Sequence, residues 1–468
     1  MKLHKLNKFH LIYLTTLILP LTYFFISPSA RKLYFETTTT VQTNAPIKVI
    51  LTLSLLIISM FFLKNIDLIL EFNSRIRTSN QPKLVIFIFF IFVFLPIFLA
   101  ELKIRFFAKL FYQLLRVSYL DPPFADLRTT IIAIGCKNVN NIGDIISCDT
   151  RSSEFVTWIY PTVILKLRPL ENFLNNIQFL VVAFSILMTL LLYSLSRKLN
   201  KPQNALLILL LVSPPFLLCF SRMNLDIFIL LFIWGGLYLF QAKSTLLQDL
   251  SWICFTFAGL LKFYGFFSFI SIFYSNKIRK TLIGLLTLSF AISIVWSDLT
   301  NLSDSIGRDI YGSIGLSVIT SLLNGEDYST LKITSVGFLL TVGSLVILTC
   351  LTLMNHDLGT SVKKPDVLGN VFGFTFLITW ISASNYYYRL ILLFPVLIEL
   401  IRENKSYSNR LLVSFTFLSF FLSPKVFGVL QNVFLLPILS LILARLIYII
   451  CSNGKKYADI SRNGSICF

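Results

Sequence analysis

Long apolar stretches recur along almost the whole 468-residue chain. A membrane-spanning helix needs about 20 apolar residues, because the bilayer core is ~30 Å thick. Hydrophobic residues make up 56% of the chain and charged residues only 13%, whereas ordinary soluble domains carry about 25% charged residues. The pattern therefore predicts an all-α, polytopic membrane helix bundle and excludes a soluble enzyme.

We predict about 13 to 14 hydrophobic segments. The run 250–275 is ambiguous, because it is long and carries Lys262 between Gly259 and Gly265, so it is either one span or a broken pair of half-helices. The remaining segments are 11–27, 47–63, 83–100, 173–194, 204–220, 223–240, 281–296, 333–353, 367–383, 386–401, 411–422 and 427–450.

Loop charges favour the broken pair. Cytoplasmic loops of membrane proteins collect Lys and Arg, so the three lysines within the first eight residues place the N-terminus in the cytoplasm. A single crossing by 250–275 would put the basic cluster at 277–280 and the basic tail outside. A broken pair returns both to the cytoplasm, together with the C-terminus. The formal net charge of +19 is then explained by basic cytoplasmic loops, which face anionic lipid headgroups. Nucleic acid is not needed as a partner.

The predicted organisation has five parts. Three N-terminal spans lie in 1–100. An outer loop with an amphipathic, interfacial helix lies in 101–172, and central spans lie in 173–296. A second, acidic outer loop occupies 297–332, and the C-terminal spans and the basic tail occupy 333–468.

An ionisable residue at the centre of a span costs on the order of 2.5–3.5 kcal/mol on insertion scales, and four such residues in or beside the predicted spans stand out. They are Arg222, Asp226, Lys262 and Arg389. The topology places all four at the outer ends of their segments, on the same side as the outer-loop carboxylates Asp126 and Asp149. Three cations and a carboxylate in one place would suit an anionic lipid headgroup, with Asp126 as a base.

Each of these residues also has a purely structural interpretation. Arg222 and Asp226 are four residues apart and neutralise each other if they share one helix face. Lys262 reaches the interface by snorkelling, and Arg389 belongs to an aromatic interfacial belt. Asp126 is a first-turn residue favoured by the helix dipole. The sequence alone leaves these alternatives open.

Several short motifs follow one another between about 120 and 400. They are Phe124-Ala125-Asp126-Leu127-Arg128, Cys136, Cys148-Asp149, Tyr160-Pro161, Ser221-Arg222-Met223-Asn224-Leu225-Asp226, Leu261-Lys262-Phe263-Tyr264 and Tyr388-Arg389-Leu390. In composition and order they resemble the motifs of bacterial integral-membrane glycosyltransferases of the C superfamily. Three departures accompany the resemblance. Two extra hydrophobic segments and an amphipathic helix precede the acidic loop, which the family places right after its first span. Met223 stands where the family has glycine, and Gly265 stands where it has proline.

The resemblance implies an inverting hexosyltransferase, similar to mannosyltransferases, in the bacterial plasma membrane. It would move a sugar from a polyprenyl-phosphate donor to a lipid or glycan acceptor on the outer face. Asp126 would be the general base, and Arg222, Lys262 and Arg389 would bind the donor phosphate. Supporting residues would be Asn224, Asp226, Asp149, Tyr160 and Tyr388.

Two other function classes fit the same residues. A flippase or transporter of lipid-linked saccharides would also hold an anion with membrane Arg and Lys. A non-catalytic membrane protein of polysaccharide assembly is the third class.

For the transferase no metal is required, although Asp126 with Asp149 offers oxygen ligands that suit Mg²⁺ or Mn²⁺. Cys136 and Cys148 share one outer loop in an oxidising compartment, so we expect them to form a disulfide.

The topology can be tested by cysteine-accessibility labelling of Ile278→Cys and Lys456→Cys. Because the broken pair keeps both positions in the cytoplasm, an impermeant thiol reagent should label them only after the membrane is opened. Labelling of either one in intact cells would contradict the topology.

Overall fold

The computed structural model of the protein describes most of the chain. The described residues are 8–27, 81–101, 124–136, 140, 145–146, 156–157, 160–170, 177–275, 278–305, 313–324, 335–354, 362, 366–382, 385–402, 407–422 and 424–463. The predicted span 47–63 and the predicted interfacial helix at 101–120 therefore lie almost wholly outside the described residues.

The described elements are helices, apart from four strands of two residues each, which confirms the all-α class. The α-helices are α1 (Lys8–Ile26), α2 (Gln81–Ile88), α3 (Leu95–Glu101), α4 (Ala125–Gly135), α5 (Ile177–Lys198), α6 (Lys201–Leu211), α7 (Pro214–Arg222), α8 (Leu225–Phe240), α9 (Thr245–Leu261), α10 (Ile278–Ile294), α11 (Trp296–Ser305), α12 (Leu316–Asn324), α13 (Val336–Met354), α14 (Val367–Ser382), α15 (Phe394–Arg402), α16 (Tyr407–Phe421) and α17 (Pro424–Asn463).

Shorter elements connect these helices. A π-helical stretch, Phe89–Phe94, joins α2 to α3. Three 3₁₀ helices are Thr162–Leu170, Phe263–Tyr274 and Tyr387–Leu393. The strands are β1 (Ile145–Ile146), β2 (Val156–Thr157), β3 (Ser313–Ile314) and β4 (Asn385–Tyr386), and β1 pairs with β2 antiparallel.

Four of the described helices are long and apolar enough to cross a membrane. A fifth crossing exists if the bent pair Gln203–Leu211 and Pro214–Arg222 is one broken span. The other apolar helices are shorter. The four long ones are Gln81–Leu99, Phe179–Lys198, Val336–Met354 and Val429–Ser452.

Three predicted segments differ from the helices that form. The segment 204–220 is bent by 52° between α6 and α7, because Pro214 and Pro215 have no N–H to donate. The segment 386–401 is divided between a 3₁₀ helix and α15. The last span does not stop at 450, since α17 continues to Asn463.

The run 250–275 forms a helical hairpin. Helix α9 ends at Leu261, Lys262 is extended with φ −151° and ψ 135°, and the 3₁₀ helix begins at Phe263. The rings of Trp252 and Phe269 then stack with their centroids 5.5 Å apart, so the second arm packs back along the first. The turn lies at Lys262, where the broken pair was expected.

The chain divides into two compact units. Unit 1 consists of Met1–Asn65, Ile310–Asn385 and Pro395–Phe468, and within it α17 packs against α1, α13, α14 and α16. A buried ion pair lies in this unit. Arg445 Nη1 and Nη2 each donate a 3.0 Å hydrogen bond to the carboxylate of Glu399, whose side chain is 2% exposed.

Unit 2 consists of Ile66–Asp309 and Tyr386–Phe394. Its centre is α8 packed against α9, with the second arm of the hairpin and α10 beside α9. Helix α7 packs against both α4 and the 3₁₀ helix Tyr387–Leu393. Unit 2 therefore contains the candidate base, all three candidate cations and the hairpin turn.

The hairpin depends on a glycine at its closest approach. A Cβ on Gly265 would lie 2.2 Å from the carbonyl carbon and oxygen of Ala258, so Gly265→Ala should separate the two arms. We expect a loss of stability of about 1–3 kcal/mol, measured by thermal unfolding in detergent. Gly235→Ala is the matched control, since no atom lies within 4 Å of its added Cβ. Equal melting temperatures for the two variants would contradict the close packing.

Candidate functional site

Helix α4 places Asp126 at its N-terminal end. Phe124 precedes the helix in the left-handed conformation, with φ 61° and ψ 31°. Its N–H donates to the carbonyl of Ser221 at 2.7 Å, which joins the start of α4 to the end of α7. Asp126 lies in the first turn of α4, where the helix dipole favours a carboxylate.

The chain turns sharply between α7 and α8. Met223 has φ 47° and ψ 49°, the left-handed region in which helices often end, most commonly at glycine. The N–H of Met223 donates to Phe220 O at 3.0 Å, and that of Asn224 donates to Cys219 O at 3.1 Å. This turn separates Arg222 from Asp226, so the two do not lie on one helix and the simple neutralisation by four-residue spacing is wrong.

A small apolar cluster holds the C-terminal end of α4. It brings α4 together with the 3₁₀ helix Thr162–Leu170, the start of α8 and the hairpin turn. Because its residues are removed from solvent, the cluster fixes the position of α4 beside α8. Its buried members are Ala133, Ile134, Cys136, Ile164, Leu165 and Leu225, with Tyr160, Phe228, Leu261 and Phe263 packed against them.

Asp126 is held by Arg222 and Asn224. Arg222 Nε lies 2.9 Å from each carboxylate oxygen of Asp126, and Nη2 lies 2.6 Å from Oδ1. Asn224 Nδ2 donates to Oδ2 of the same carboxylate. The side chains of Arg222 and Asp126 are 29% and 12% exposed, so this pair is accessible from solvent.

A second, deeper carboxylate belongs to Asp226, whose side chain is 0% exposed. Lys262 Nζ and the Tyr264 hydroxyl each donate to its Oδ1 at 2.5 Å. Arg389 Nε donates to its Oδ2 at 3.3 Å. A buried charge is tolerated only when it is paired and hydrogen-bonded, and Asp226 meets both conditions.

Asn224 connects the two carboxylates. Its Oδ1 accepts from Lys262 Nζ at 2.8 Å and from the backbone N–H of Asp226 at 3.0 Å, which caps α8. Because Oδ1 receives these two donors, the amide must present its NH₂ to Asp126. The orientation of this side chain is therefore fixed by its surroundings.

Two tyrosines lie close to the cations. Lys262 Nζ is 5.4 Å from the ring centroid of Tyr160, and Arg389 Cζ is 5.1 Å from that of Tyr264. Both distances fall within the range of cation–π attraction. Burial, followed by the negative charge of Asp126, raises the pKa of Tyr160, so this phenol stays protonated.

Asp298 fixes the chain just after Tyr160. Its Oδ2 accepts from the Thr162 N–H at 2.8 Å, and the Thr162 hydroxyl lies 3.0 Å from Oδ1 and 2.9 Å from Oδ2. Asp298 is itself buried. Asp298, in the first turn of α11, therefore binds the start of the 3₁₀ helix Thr162–Leu170, a contact that the count of acidic residues in 297–332 did not reveal.

The structure brings together most residues singled out from the sequence. Asp149 and Cys148 lie outside the described residues, and Tyr388 lies in the 3₁₀ helix before Arg389. Tyr264 belongs to the motif Leu261-Lys262-Phe263-Tyr264 but was assigned no role in the site, because its hydrogen bond to Asp226 is not visible in the sequence. The residues that meet are Asp126, Arg222, Asn224, Asp226, Lys262, Arg389 and Tyr160.

Cys136 is disulfide-bonded, whereas the described cysteines Cys219, Cys254, Cys350 and Cys451 are free thiols. Pairing of Cys136 with Cys148 stays a prediction. Among the residues that the structure describes, His, Cys, Asp and Glu side chains form no group of three or more that could hold a metal ion.

The chain matches no family model, no curated protein and no solved structure. Its resemblance to the C superfamily therefore depends on the motifs alone.

The buried cluster can be tested through Asp226. Asp226→Ala removes a buried carboxylate that Lys262 and Arg389 share, so it should cost about 3–5 kcal/mol of stability. Asp249→Ala is the matched control, since Asp249 pairs with the exposed Arg279 at 2.9 Å and should change stability by less than ~1 kcal/mol. Chemical denaturation in detergent measures both. Similar losses would show that the Asp226 cluster does not stabilise the fold.

Proposed function

We propose that the protein is a membrane glycosyltransferase that moves a sugar from a polyprenyl-phosphate donor to a lipid or glycan acceptor on the outer face of the bacterial plasma membrane. The observation that carries the proposal is one contact. The carboxylate of Asp126, which is partly exposed, touches Arg222 and lies next to the buried group of Lys262, Asp226 and Arg389.

Charge supports a phosphate as the ligand. Among the described residues of this group, three cations surround two carboxylates, so the cations outnumber the acids by one. Arg222 is the most exposed of the cations, at 29% against 15% for Arg389 and 8% for Lys262. Its planar guanidinium suits the oxygens of a phosphate. A lipid phosphate would thus meet Arg222 first.

In the proposed reaction Asp126 removes the proton of the acceptor hydroxyl as its oxygen attacks the anomeric carbon of the sugar. The bond from that carbon to the phosphate oxygen breaks, and the electron pair leaves with the polyprenyl phosphate. Attack opposite the leaving group inverts the anomeric configuration. The developing negative charge on the phosphate is stabilised by Arg222, with Lys262 and Arg389 supplying the positive field behind it.

Release of polyprenyl phosphate by purified protein tests this function. The donors are a panel of polyprenyl-phosphate hexoses, beginning with mannose, each offered with membrane-lipid or glycan acceptors. Asp126→Asn keeps the shape and removes the base, so the rate should fall about 10²–10⁴-fold. Arg222→Ala should instead weaken donor binding, seen as a higher KM.

The same experiment separates catalysis from transport. A flippase would move the intact lipid-linked sugar across a vesicle membrane and release no polyprenyl phosphate. Phosphate release that is unaffected by Asp126→Asn would show that this carboxylate is not the base. If no donor in the panel releases polyprenyl phosphate, the proposed activity is wrong.

A further inference from the structure

The base of the proposed reaction is already occupied in this structure. Both oxygens of Asp126 accept hydrogen bonds from Arg222, the shortest at 2.6 Å, and Oδ2 also accepts from Asn224. A carboxylate oxygen that already accepts hydrogen bonds from a guanidinium and an amide has few lone-pair positions left to accept a proton. In this arrangement Asp126 is poorly suited to removing a proton from a hydroxyl.

Arg222 is also the residue best placed to meet a donor phosphate. Its pair with Asp126 is partly exposed, whereas Lys262 and Asp226 are 8% and 0% exposed. Exchanging partners in water costs little compared with opening a buried pair, which leaves an uncompensated charge behind. Of the ion pairs seen in this site, Arg222–Asp126 is therefore the one that an incoming anion opens most easily.

Asn224 keeps the carboxylate in place when Arg222 leaves. Its amide orientation is set by Lys262 Nζ and by the N–H of Asp226, neither of which depends on Arg222. This amide contacts Oδ2, whereas Oδ1 accepts from Arg222. Asp126 would thus stay in position, and the positions on Oδ1 that Arg222 occupied would be open to the acceptor hydroxyl.

Taking the proposed function as its basis, we propose that Asp126 and the donor phosphate compete for Arg222, so that donor binding releases the base. Each Arg222 hydrogen bond to the carboxylate is replaced by one to a phosphate oxygen, and no covalent bond changes in this step. The acceptor hydroxyl would be deprotonated efficiently only when a donor is present. Asn224 is the positioning residue of this exchange.

A double-mutant cycle on binding tests the competition. The probe is undecaprenyl phosphate, titrated into the purified protein in nanodiscs. Since Asp126→Asn removes the competing anion, it should tighten binding about fivefold, which corresponds to ~1 kcal/mol. In an Arg222→Gln background the same Asp126→Asn change should have almost no effect, because the residue for which the two anions compete is gone.

Two controls complete the cycle. Asp249→Asn removes a carboxylate from another Arg–Asp pair of unit 2, and it should leave the affinity unchanged. Inorganic phosphate is the second probe. If Asp126→Asn tightens inorganic phosphate but not the lipid, the competing ligand is not a lipid headgroup and the inference fails. Should Arg222→Gln not fold, Arg222→Lys replaces it, since an ammonium lacks the fork that spans two oxygens.

Several results would overturn the competition. An unchanged or weaker affinity in Asp126→Asn is one of them. A fivefold gain in affinity from Asp126→Asn that persists in the Arg222→Gln background would indicate general repulsion between the carboxylate and the phosphate. The same holds if Asp249→Asn produces an equal gain in affinity. The proposed function fails separately, because it requires Asp126→Asn to lose transfer whatever the affinity. Lost transfer with unchanged affinity would refute the competition alone.

Discussion

Unit 2 is organised around the need to compensate one buried carboxylate. Asp226 is removed from solvent, and an isolated charge there would cost several kcal/mol. Its donors come from distant parts of the sequence, since Lys262 and Tyr264 belong to the hairpin and Arg389 to a 3₁₀ helix more than a hundred residues later. Satisfying this single charge therefore holds α8, the hairpin and the segment Tyr386–Phe394 in one unit.

The cost of charges near lipid made the site residues visible in the sequence. On that ground Arg222, Asp226, Lys262 and Arg389 stand out. Asp126, which the sequence places in a predicted outer loop, was added from its expected position on the same side. Which acid pairs with which cation was not predictable. The pairing depends on the turn at Met223, which directs Arg222 toward α4 while Asp226 points to Lys262, and hydropathy contains no information about such a turn.

Much of the helical fold was predictable from apolar composition, and the hairpin from loop charges. Apolar composition indicates which residues lie in lipid, and loop charge indicates on which side of the membrane a loop lies. Neither signal indicates how the backbone is hydrogen-bonded. The break at Pro214, the π-helical stretch Phe89–Phe94 and the division of 386–401 were missed for that reason. The role of Tyr264 was missed because it follows from a hydrogen bond that joins the hairpin to Asp226 on α8.

Met223 restricts which sequences can encode this site. A left-handed backbone costs a non-glycine residue about 1–2 kcal/mol, and β-branched side chains are least able to adopt it. The side chain is also 0% exposed, so asparagine, the usual substitute for glycine in this conformation, would bury an amide. Few residue types satisfy both conditions. Methionine strains the backbone of the folded state more than glycine would. It also lowers the conformational entropy of the unfolded chain relative to glycine, which offsets part of that strain.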